Sequence, residues 1–254
     1  MGCDTGWGGG TAWAGVAEAV GKDGMTKEMV RRGGIRKLVV AIALILLAPV
    51  ASAEGACRIA VLGDSLASSY GLDLAEGFPA RLEQRLAEAG YDCAVLDAGV
   101  AGDTSAGGRA RLEWLLADQP SHVIVELGGN DALRALPPEQ MERNLDAILT
   151  RLAAEGIPVL LAGMLAPPNL GRDYGAAFAA VFPRLAEKHD VPLYSFFLEG
   201  VAGIPELNQR DGIHPSAAGI ERIVEGILPT VEDWLAAAPT DAAAVVEEPA
   251  VVSD

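Results

Sequence analysis

From residue 58 onward the chain alternates short, almost uninterrupted apolar runs with longer amphipathic stretches. Strands of a parallel sheet with helices on both faces are buried on both sides, so they are apolar throughout and lack the in-out alternation of a half-exposed strand. The sequence therefore predicts an α/β domain in which a parallel sheet lies between two layers of helices. The five predicted strands are 58–62, 94–97, 122–127, 158–162 and 191–194.

The amphipathic stretches place apolar residues three or four positions apart, which is the spacing of one face of a helix. We interpret these apolar residues as core. Two further helices are predicted over 174–188 and 216–235, and the second closes the domain. The apolar positions of the first three helices are Phe78, Leu82 and Leu86; Leu112, Leu115 and Leu116; and Met141, Leu145, Ile148, Leu149 and Leu152.

Residues 29–53 have the three parts of a secretory signal peptide. Residues 29–37 are basic, residues 38–50 are apolar, and residues 51–53 (ASA) are small residues at the spacing of a cleavage site. The apolar segment of about 13 residues is shorter than the roughly 20 that span a bilayer, so a retained membrane anchor is the less favoured alternative. We expect cleavage after Ala53 and export to a periplasm or beyond the cell.

The segments outside residues 54–235 differ in composition from the domain between them. Residues 1–28 are rich in Gly and Ala, and a signal peptide normally begins close to its initiator methionine. We therefore expect this segment to be a non-native extension, with Met25 or Met29 as the true start. Residues 54–235 contain no repeat and no linker, which predicts one domain, and residues 236–254 are predicted to form a flexible acidic tail.

The formal net charge is −16. A surface of this sign does not favour contacts with the phosphates of nucleic acids. We therefore predict no nucleic acid partner, and other polyanions are poor candidate partners as well. We also expect a monomer without a stable membrane anchor.

Cys57 and Cys93 are the two cysteines that remain once the segment containing Cys3 is removed. Each stands just ahead of a predicted strand, and adjacent parallel strands would bring the two positions together at one end of the sheet. Because an exported protein meets oxidising conditions, a disulfide between them is expected. The alternative is that both are small buried residues that never pair.

Polar and glycine-rich segments follow the predicted strands. Ligands of an open parallel α/β sheet bind beyond the carboxyl ends of its strands, so these segments are the candidate site. A final polar segment precedes the last helix. The four segments are 63–66 (GDSL), 99–108 (GVAGDTSAGG), 128–131 (GGND) and 211–215 (DGIHP).

His214 is the candidate general base among three histidines. It lies three residues after Asp211, whose carboxylate can accept a hydrogen bond from the imidazole and fix its tautomer. His122 opens a predicted strand and His189 closes a predicted helix, where a cationic side chain favours the helix dipole. We interpret both of these as structural.

Ser65 is the candidate nucleophile because Gly63 and Ser65 lie in a strand-to-helix turn that exposes the hydroxyl to a base. The alternative is that Ser65 only caps the following helix. Acyl transfer also needs donors aimed at the developing oxyanion. Gly102, the side-chain amide of Asn130 and the backbone amide of Ser65 are the candidates.

Taken together, these motifs resemble the GDSL or SGNH hydrolase family. The resemblance covers roughly residues 57–235 and is specific, because all four family motifs occur in the family order. More narrowly, it points to the bacterial periplasmic arylesterases that also act as acyl-CoA thioesterases and lysophospholipases. The stretches that carry it are 61–71 (VLGDSLASSYG), 98–104 (AGVAGDT), 125–134 (VELGGNDALR), 165–174 (LAPPNLGRDY) and 211–215.

The resemblance implies a flavodoxin-like three-layer α/β/α sandwich, the SGNH hydrolase fold, with strand order 2-1-3-4-5. It implies a triad of Ser65, Asp211 and His214, an oxyanion hole of Ser65, Gly102 and Asn130, and no cofactor or metal. Residues 165–174 are implied as a wall of the acyl pocket. The substrates implied are aryl esters, acyl-CoA and lysophospholipids. Candidate substrate contacts, which could also be ordinary packing residues, are Tyr70, Leu165, Pro167, Leu170 and Phe197.

Several alternatives remain at this point. A carbohydrate O-deacetylase would use the same fold and triad on a smaller, more polar substrate. A nucleotide-binding module is disfavoured because the chain lacks GxGxxG at a helix start and GxxxxGK[ST]. A zinc hydrolase would use Asp64, Asp211 and His214, two of which already have roles in the triad. A binding protein that has lost the chemistry is disfavoured because every catalytic position is intact.

Overall fold

The computed structural model describes residues 57–237. Five strands form a parallel sheet, as the apolar runs predicted. Their spatial order is β2-β1-β3-β4-β5, which confirms the expected doubly wound topology and leaves β2 at one edge of the sheet. The strands are β1 (Cys57–Gly63), β2 (Cys93–Gly99), β3 (His122–Glu126), β4 (Val159–Ala162) and β5 (Leu193–Tyr194).

The described region also contains eight α-helices and three short 3-10 turns. Helix α1 packs against α8, whereas α2, α5 and α7 form a second group. The helices are α1 (Phe78–Glu88), α2 (Ser105–Ala110), α3 (Leu112–Ala117), α4 (Gly129–Leu133), α5 (Pro138–Ala154), α6 (Arg172–Ala179), α7 (Val181–His189) and α8 (Ala217–Ala237). The 3-10 turns are Leu74–Glu76, Pro168–Leu170 and Pro205–Leu207.

The prediction of one continuous helix over 174–188 is wrong, because the structure has two helices, α6 and α7, separated at Ala180. Pro183 explains the break. Proline has no N–H to donate to the carbonyl four residues earlier, so an uninterrupted helix would leave the carbonyl of Ala179 without its partner. Proline is tolerated in the first turn of a helix, which is its position in α7.

The core is continuous through the sheet. Ile59, Val61 and Leu62 of β1 are fully buried, and so are the consecutive apolar residues of β3. The predicted core positions of α1, Phe78, Leu82 and Leu86, are also fully buried. Burial of a side chain of this size contributes about 1.5–3 kcal/mol, so the sheet provides a rigid base for the loops at its carboxyl edge.

Cys57 and Cys93 are register partners at the beginnings of β1 and β2. Their Cα atoms are 4.5 Å apart, and their sulfur atoms form a disulfide. The bond lies at the amino ends of the two strands, opposite the edge at which the polar motifs emerge.

The predicted N-terminal extension and signal peptide, residues 1–28 and 29–53, lie outside the described residues. Of the predicted tail over 236–254, the first two residues belong to α8, and residues 238–254 also lie outside. Among the described helices, none has the length and apolar character that crossing a membrane requires.

Candidate active site

Ser65, His214 and Asp211 form a hydrogen-bonded chain at the carboxyl edge of the sheet. Ser65 lies two residues beyond β1, and its Oγ is 2.9 Å from His214 Nε2. On the other side of the imidazole, Nδ1 is 2.6 Å from Asp211 Oδ2. The structure therefore brings together the three predicted triad residues from loops 149 positions apart in the chain.

Asp211 is fixed by its own loop. Its Oδ1 accepts hydrogen bonds from the backbone N–H groups of Ile213 and His214, at 2.9 and 3.0 Å. These bonds, first that from Ile213 and then that from the imidazole, lower the pKa of Asp211 from its usual value to about 2. A carboxylate that stays ionised can hold the imidazole in one orientation and one tautomer.

The candidate oxyanion donors surround the serine. Gly102 follows β2 with φ +82°, a left-handed conformation that suits glycine. Within residues 57–237, neither the backbone N–H of Ser65 nor that of Gly102 has an acceptor. The side-chain nitrogen of Asn130 donates to Asp64 Oδ2 at 2.9 Å, which uses one of its two hydrogens and leaves the second for a ligand.

Asp64 and Glu126 are two carboxyl groups buried behind the serine turn. Asp64 Oδ1 accepts from the backbone N–H of Leu66 at 2.9 Å, and Oδ2 accepts from Asn130. Burial is the main cause that raises the pKa of Asp64. Burial, and after it the charge of Asp64, raises the pKa of Glu126 well above its ordinary value. Glu126 Oε2 faces the backbone N–H of Asp64 at 3.4 Å, and Oε1 has no hydrogen-bond partner within the described part of the chain.

Asp131 joins the Asn130 helix to the helix that follows the Gly102 loop. Its two oxygens accept from the backbone N–H and the hydroxyl of Ser105, each at 2.7 Å. Asn144 donates to the same hydroxyl at 3.0 Å. The spacing of Ser105, Asp131 and Asn144 in the sequence does not indicate that they meet, so this network could not be predicted from it.

Two adjoining cavities open on this site. The first, of about 340 Å³, contains the triad serine and histidine and the candidate oxyanion donors. The second, of about 420 Å³, is apolar and shares four lining residues with the first. The shared residues are Leu66, Gly129, Leu133 and Ile213.

Three of the five candidate substrate contacts line these cavities. Tyr70 lines the first cavity, and its ring lies over the imidazole of His214 with 4.3 Å between the ring centroids. Leu165 and Pro167 line the second cavity. They belong to the predicted acyl-pocket segment, so that segment does contribute to the cavity wall.

The interpretation of Phe197 as a substrate contact is wrong. Its side chain is fully buried and packs edge-on against Phe78, with 5.0 Å between the ring centroids. The neighbouring residues Phe196 and Leu198 line the apolar cavity instead. Leu170 belongs to the same segment as Leu165 and Pro167 but does not line either of these two cavities.

The two other histidines lie away from the triad. His122 packs edge-on against Trp234, and burial lowers its pKa. His189 ends α7 and lies 2.6 Å from Asp146. Within the described residues, no three side chains of His, Cys, Asp or Glu form a cluster that could hold a metal ion.

Comparison with known proteins gives a consistent result. The model of the GDSL-like lipase/acylhydrolase family matches residues 61–222. Esterase TesA from Pseudomonas aeruginosa is 45% identical over 195 residues, covering 76% of this chain and 96% of that protein. Thioesterase 1/protease 1/lysophospholipase L1 from Escherichia coli K12 is 40% identical over 185 residues, covering 72% and 84%.

Solved structures agree with the sequence relatives. AlinE4, an SGNH-hydrolase family esterase, is 46% identical and superposes with a TM-score of 0.60 over 70% of this chain and 96% of its own. The crystal structure of TesA superposes with a TM-score of 0.67 over 70% of this chain and 99% of its own, at 45% identity. With this fold, these motifs and these relatives, the chain belongs to the GDSL-like lipase/acylhydrolase family.

Proposed function

We propose that this chain hydrolyses carboxylic esters and thioesters with apolar acyl groups through an acyl-enzyme formed on Ser65. The observation that carries the proposal is the unbroken chain from Ser65 Oγ through His214 to Asp211 beside an apolar cavity. Membership of the family makes the chain a carboxylic ester hydrolase, and the geometry supports the roles proposed for its residues.

Acylation begins when Ser65 Oγ attacks the carbonyl carbon while its proton passes to His214 Nε2. The carbonyl oxygen becomes an oxyanion facing the N–H groups of Ser65 and Gly102 and the free hydrogen of Asn130. Collapse breaks the bond to the leaving oxygen or sulfur, which takes the proton from His214. A water molecule then gives its proton to His214 and attacks the acyl group. The acid is released, and the proton returns to Ser65.

The second cavity supports a specificity for apolar acyl groups, because it continues from the catalytic cleft past Leu66 and Ile213. A wall of this composition favours acyl chains longer than acetyl. The names of the relatives, esterase, thioesterase and lysophospholipase, support ester, thioester and lysophospholipid substrates. We propose that aryl esters and acyl-CoA are among these esters and thioesters. Selective hydrolysis of acetyl groups would instead point to the O-deacetylase alternative.

The basic, apolar and small-residue segments of residues 29–53 support export to a periplasm or beyond. We propose a monomer that requires no cofactor, no metal, no nucleic acid partner and no stable membrane anchor. Its partners are then small-molecule acyl esters and thioesters.

The test compares the purified protein with Ser65→Ala on p-nitrophenyl acetate, butyrate and octanoate near pH 8. We expect turnover by the wild type, a preference for the longer chains, and loss of nearly all activity in a folded Ser65→Ala variant. Equal activity of the two proteins would reject Ser65 as the nucleophile. Activity on acetate alone would reject the apolar acyl specificity.

A further inference from the structure

Arg111 lies between α2 and α3, outside the triad and the cavity lining described above. Its side chain is 22% exposed, and its guanidinium group makes three hydrogen bonds. Nε donates to Asp103 Oδ2 at 2.6 Å, Nη1 donates to the carbonyl of Ala98 at 2.6 Å, and Nη2 donates to the carbonyl of Gly63 at 2.8 Å. Each of the three guanidinium nitrogens therefore donates a hydrogen bond to an acceptor within the protein.

The three acceptors belong to the two segments that supply backbone oxyanion donors. Gly63 is the last residue of β1, two positions before Ser65. Ala98 is near the end of β2, and Asp103 directly follows Gly102. Arg111 thus connects the Ser65 turn to the Gly102 loop, where the pairing of β1 with β2 ends.

We infer that Arg111 is a positioning residue that fixes the distance and direction of the Gly102 N–H relative to the Ser65 N–H. The inference rests on the oxyanion roles in the proposed function. Donors stabilise a transition state only where they already point at the developing charge, and a misplacement of about 1 Å can cost roughly 100-fold in rate. Arg111 touches no reacting atom and acts only through the two loops.

Only arginine satisfies this geometry. A guanidinium group is planar and always charged, and it donates in three fixed directions at once. A lysine at this position would carry the charge on a single nitrogen and could not reach a carboxylate and two carbonyls with the same spacing. The charge of Arg111 also compensates that of Asp103 in a partly buried place.

The test measures kcat and KM on p-nitrophenyl butyrate for Arg111→Met and Arg111→Lys. The affinity of an alkyl boronic acid, which forms a tetrahedral adduct on the serine, is measured in parallel. We expect kcat to fall about 10- to 100-fold in Arg111→Met, with less than about threefold change in KM, since ground-state binding does not use the oxyanion donors. Boronate affinity should fall by a similar factor. Arg111→Lys should recover only a small part of the loss.

Arg184→Met is the matched control. Arg184, like Arg111, donates to a carboxylate, in its case that of Glu142 through two hydrogen bonds, but it lies exposed on α7. We expect it to keep the activity of the wild type. A folded Arg111→Met variant with kcat and boronate affinity within about threefold of this control would overturn the inference.

Two further variants serve if Arg111→Met does not fold. Asp103→Asn keeps the shape of the side chain but removes the charged acceptor, and a fall in kcat at constant KM is expected; unchanged kcat would overturn the inference. Arg111→Ala should regain activity with millimolar guanidinium but not with ethylammonium. Ser65→Ala separates the two proposals, because an active Ser65→Ala variant rejects the proposed function, whereas an inert one beside an unaffected Arg111→Met rejects only the role of Arg111.

Discussion

The carboxylate of Asp131 accepts both the backbone N–H and the hydroxyl of Ser105, each at 2.7 Å, across 26 residues of chain. Both side chains are buried. Asn130, one position before Asp131, is a proposed oxyanion donor, and Ser105 begins the helix after the Gly102 loop. The Ser105–Asp131 pair therefore links the segments that follow β2 and β3, which are not adjacent strands. Arg111 links the segments that follow β1 and β2, which are adjacent.

Ser105→Ala tests this link. The substitution leaves Asp131 Oδ1 and the donor of Asn144 without the hydroxyl, and an unpaired buried polar group costs about 1–3 kcal/mol. We expect the free energy of unfolding, measured by urea denaturation, to fall by about that amount, and kcat to fall more than KM changes. A variant with an unchanged denaturation midpoint would show that water replaces the hydroxyl without loss.

The pH dependence of hydrolysis tests the general base. His214 must be neutral to accept the proton of Ser65, so kcat/KM should fall as the pH is lowered and the imidazole gains a proton. The pKa of Asp211 is lowered to about 2, so its carboxylate stays ionised well below this range and does not produce the fall. A flat profile between about pH 5 and 8 would contradict the assignment of His214.

Asp211→Asn complements the pH profile. Loss of the negative charge removes the partner of the imidazolium ion and allows the wrong tautomer, which in such triads costs up to about 10,000-fold in kcat. Stopped-flow or steady-state measurement of p-nitrophenol release gives the loss. A decrease of less than about tenfold in kcat would mean that Asp211 does not orient the base.

Glu126→Gln tests the buried carboxyl group through the pH dependence of stability. The folded-state pKa of Glu126 lies well above the unfolded-state value near 4.5, so between these two values the folded state binds more protons. The free energy of unfolding of the wild type therefore falls as the pH rises through that window. Glutamine does not titrate, so Glu126→Gln should become more stable relative to wild type at pH 8 than at pH 5.

Chemical denaturation at several pH values gives this difference, with the exposed Glu187→Gln on α7 as the control. The pH-dependent gain should be absent in the control. If the stability difference between Glu126→Gln and wild type is constant from about pH 5 to 8, Glu126 is ionised at the same pH in both states.

Leu165→Asp tests the acyl cavity. Leu165 is 48% exposed and lines the apolar cavity, so the substitution should alter the cavity without disturbing the core. Each buried methylene of the acyl chain contributes about 0.8 kcal/mol, and we expect kcat/KM to fall about tenfold for octanoate but less than about twofold for acetate. Leu74→Asp, at an exposed leucine outside both cavities, is the control. Equal losses on both esters would place the acyl chain elsewhere.

Sequence patterns predicted the sheet and the triad because each depends on local signals. Fully apolar runs identify buried strands, and the topology then brings the motifs at their carboxyl ends to one edge. Ser65 and His214 could be assigned in this way although they are 149 residues apart. Gly102 and Asn130 could be named as oxyanion candidates for the same reason, because they also lie in segments that follow predicted strands.

The parts that sequence patterns did not predict depend on side-chain direction or on backbone acceptors. Phe196, Phe197 and Leu198 are all apolar, so nothing local indicates which of them faces the cavity. Arg111 was missed because two of its acceptors are backbone carbonyls, which have no sequence signature and meet only in the folded sheet. The short helix α2 contains two glycines, and the apolar spacing did not predict it.

The edge strand β2 carries the Gly102 loop and is attached to β1 at both ends. The Cys57–Cys93 disulfide joins their beginnings, and Arg111 joins the segments that follow them. An edge strand has a neighbour on one side only, so it is the part of a sheet that opens most easily. In this enzyme such an opening would separate Gly102 from Ser65 while the rest of the core stayed intact. We therefore expect the loss of either attachment to lower the temperature at which catalysis stops more than the temperature at which the core unfolds.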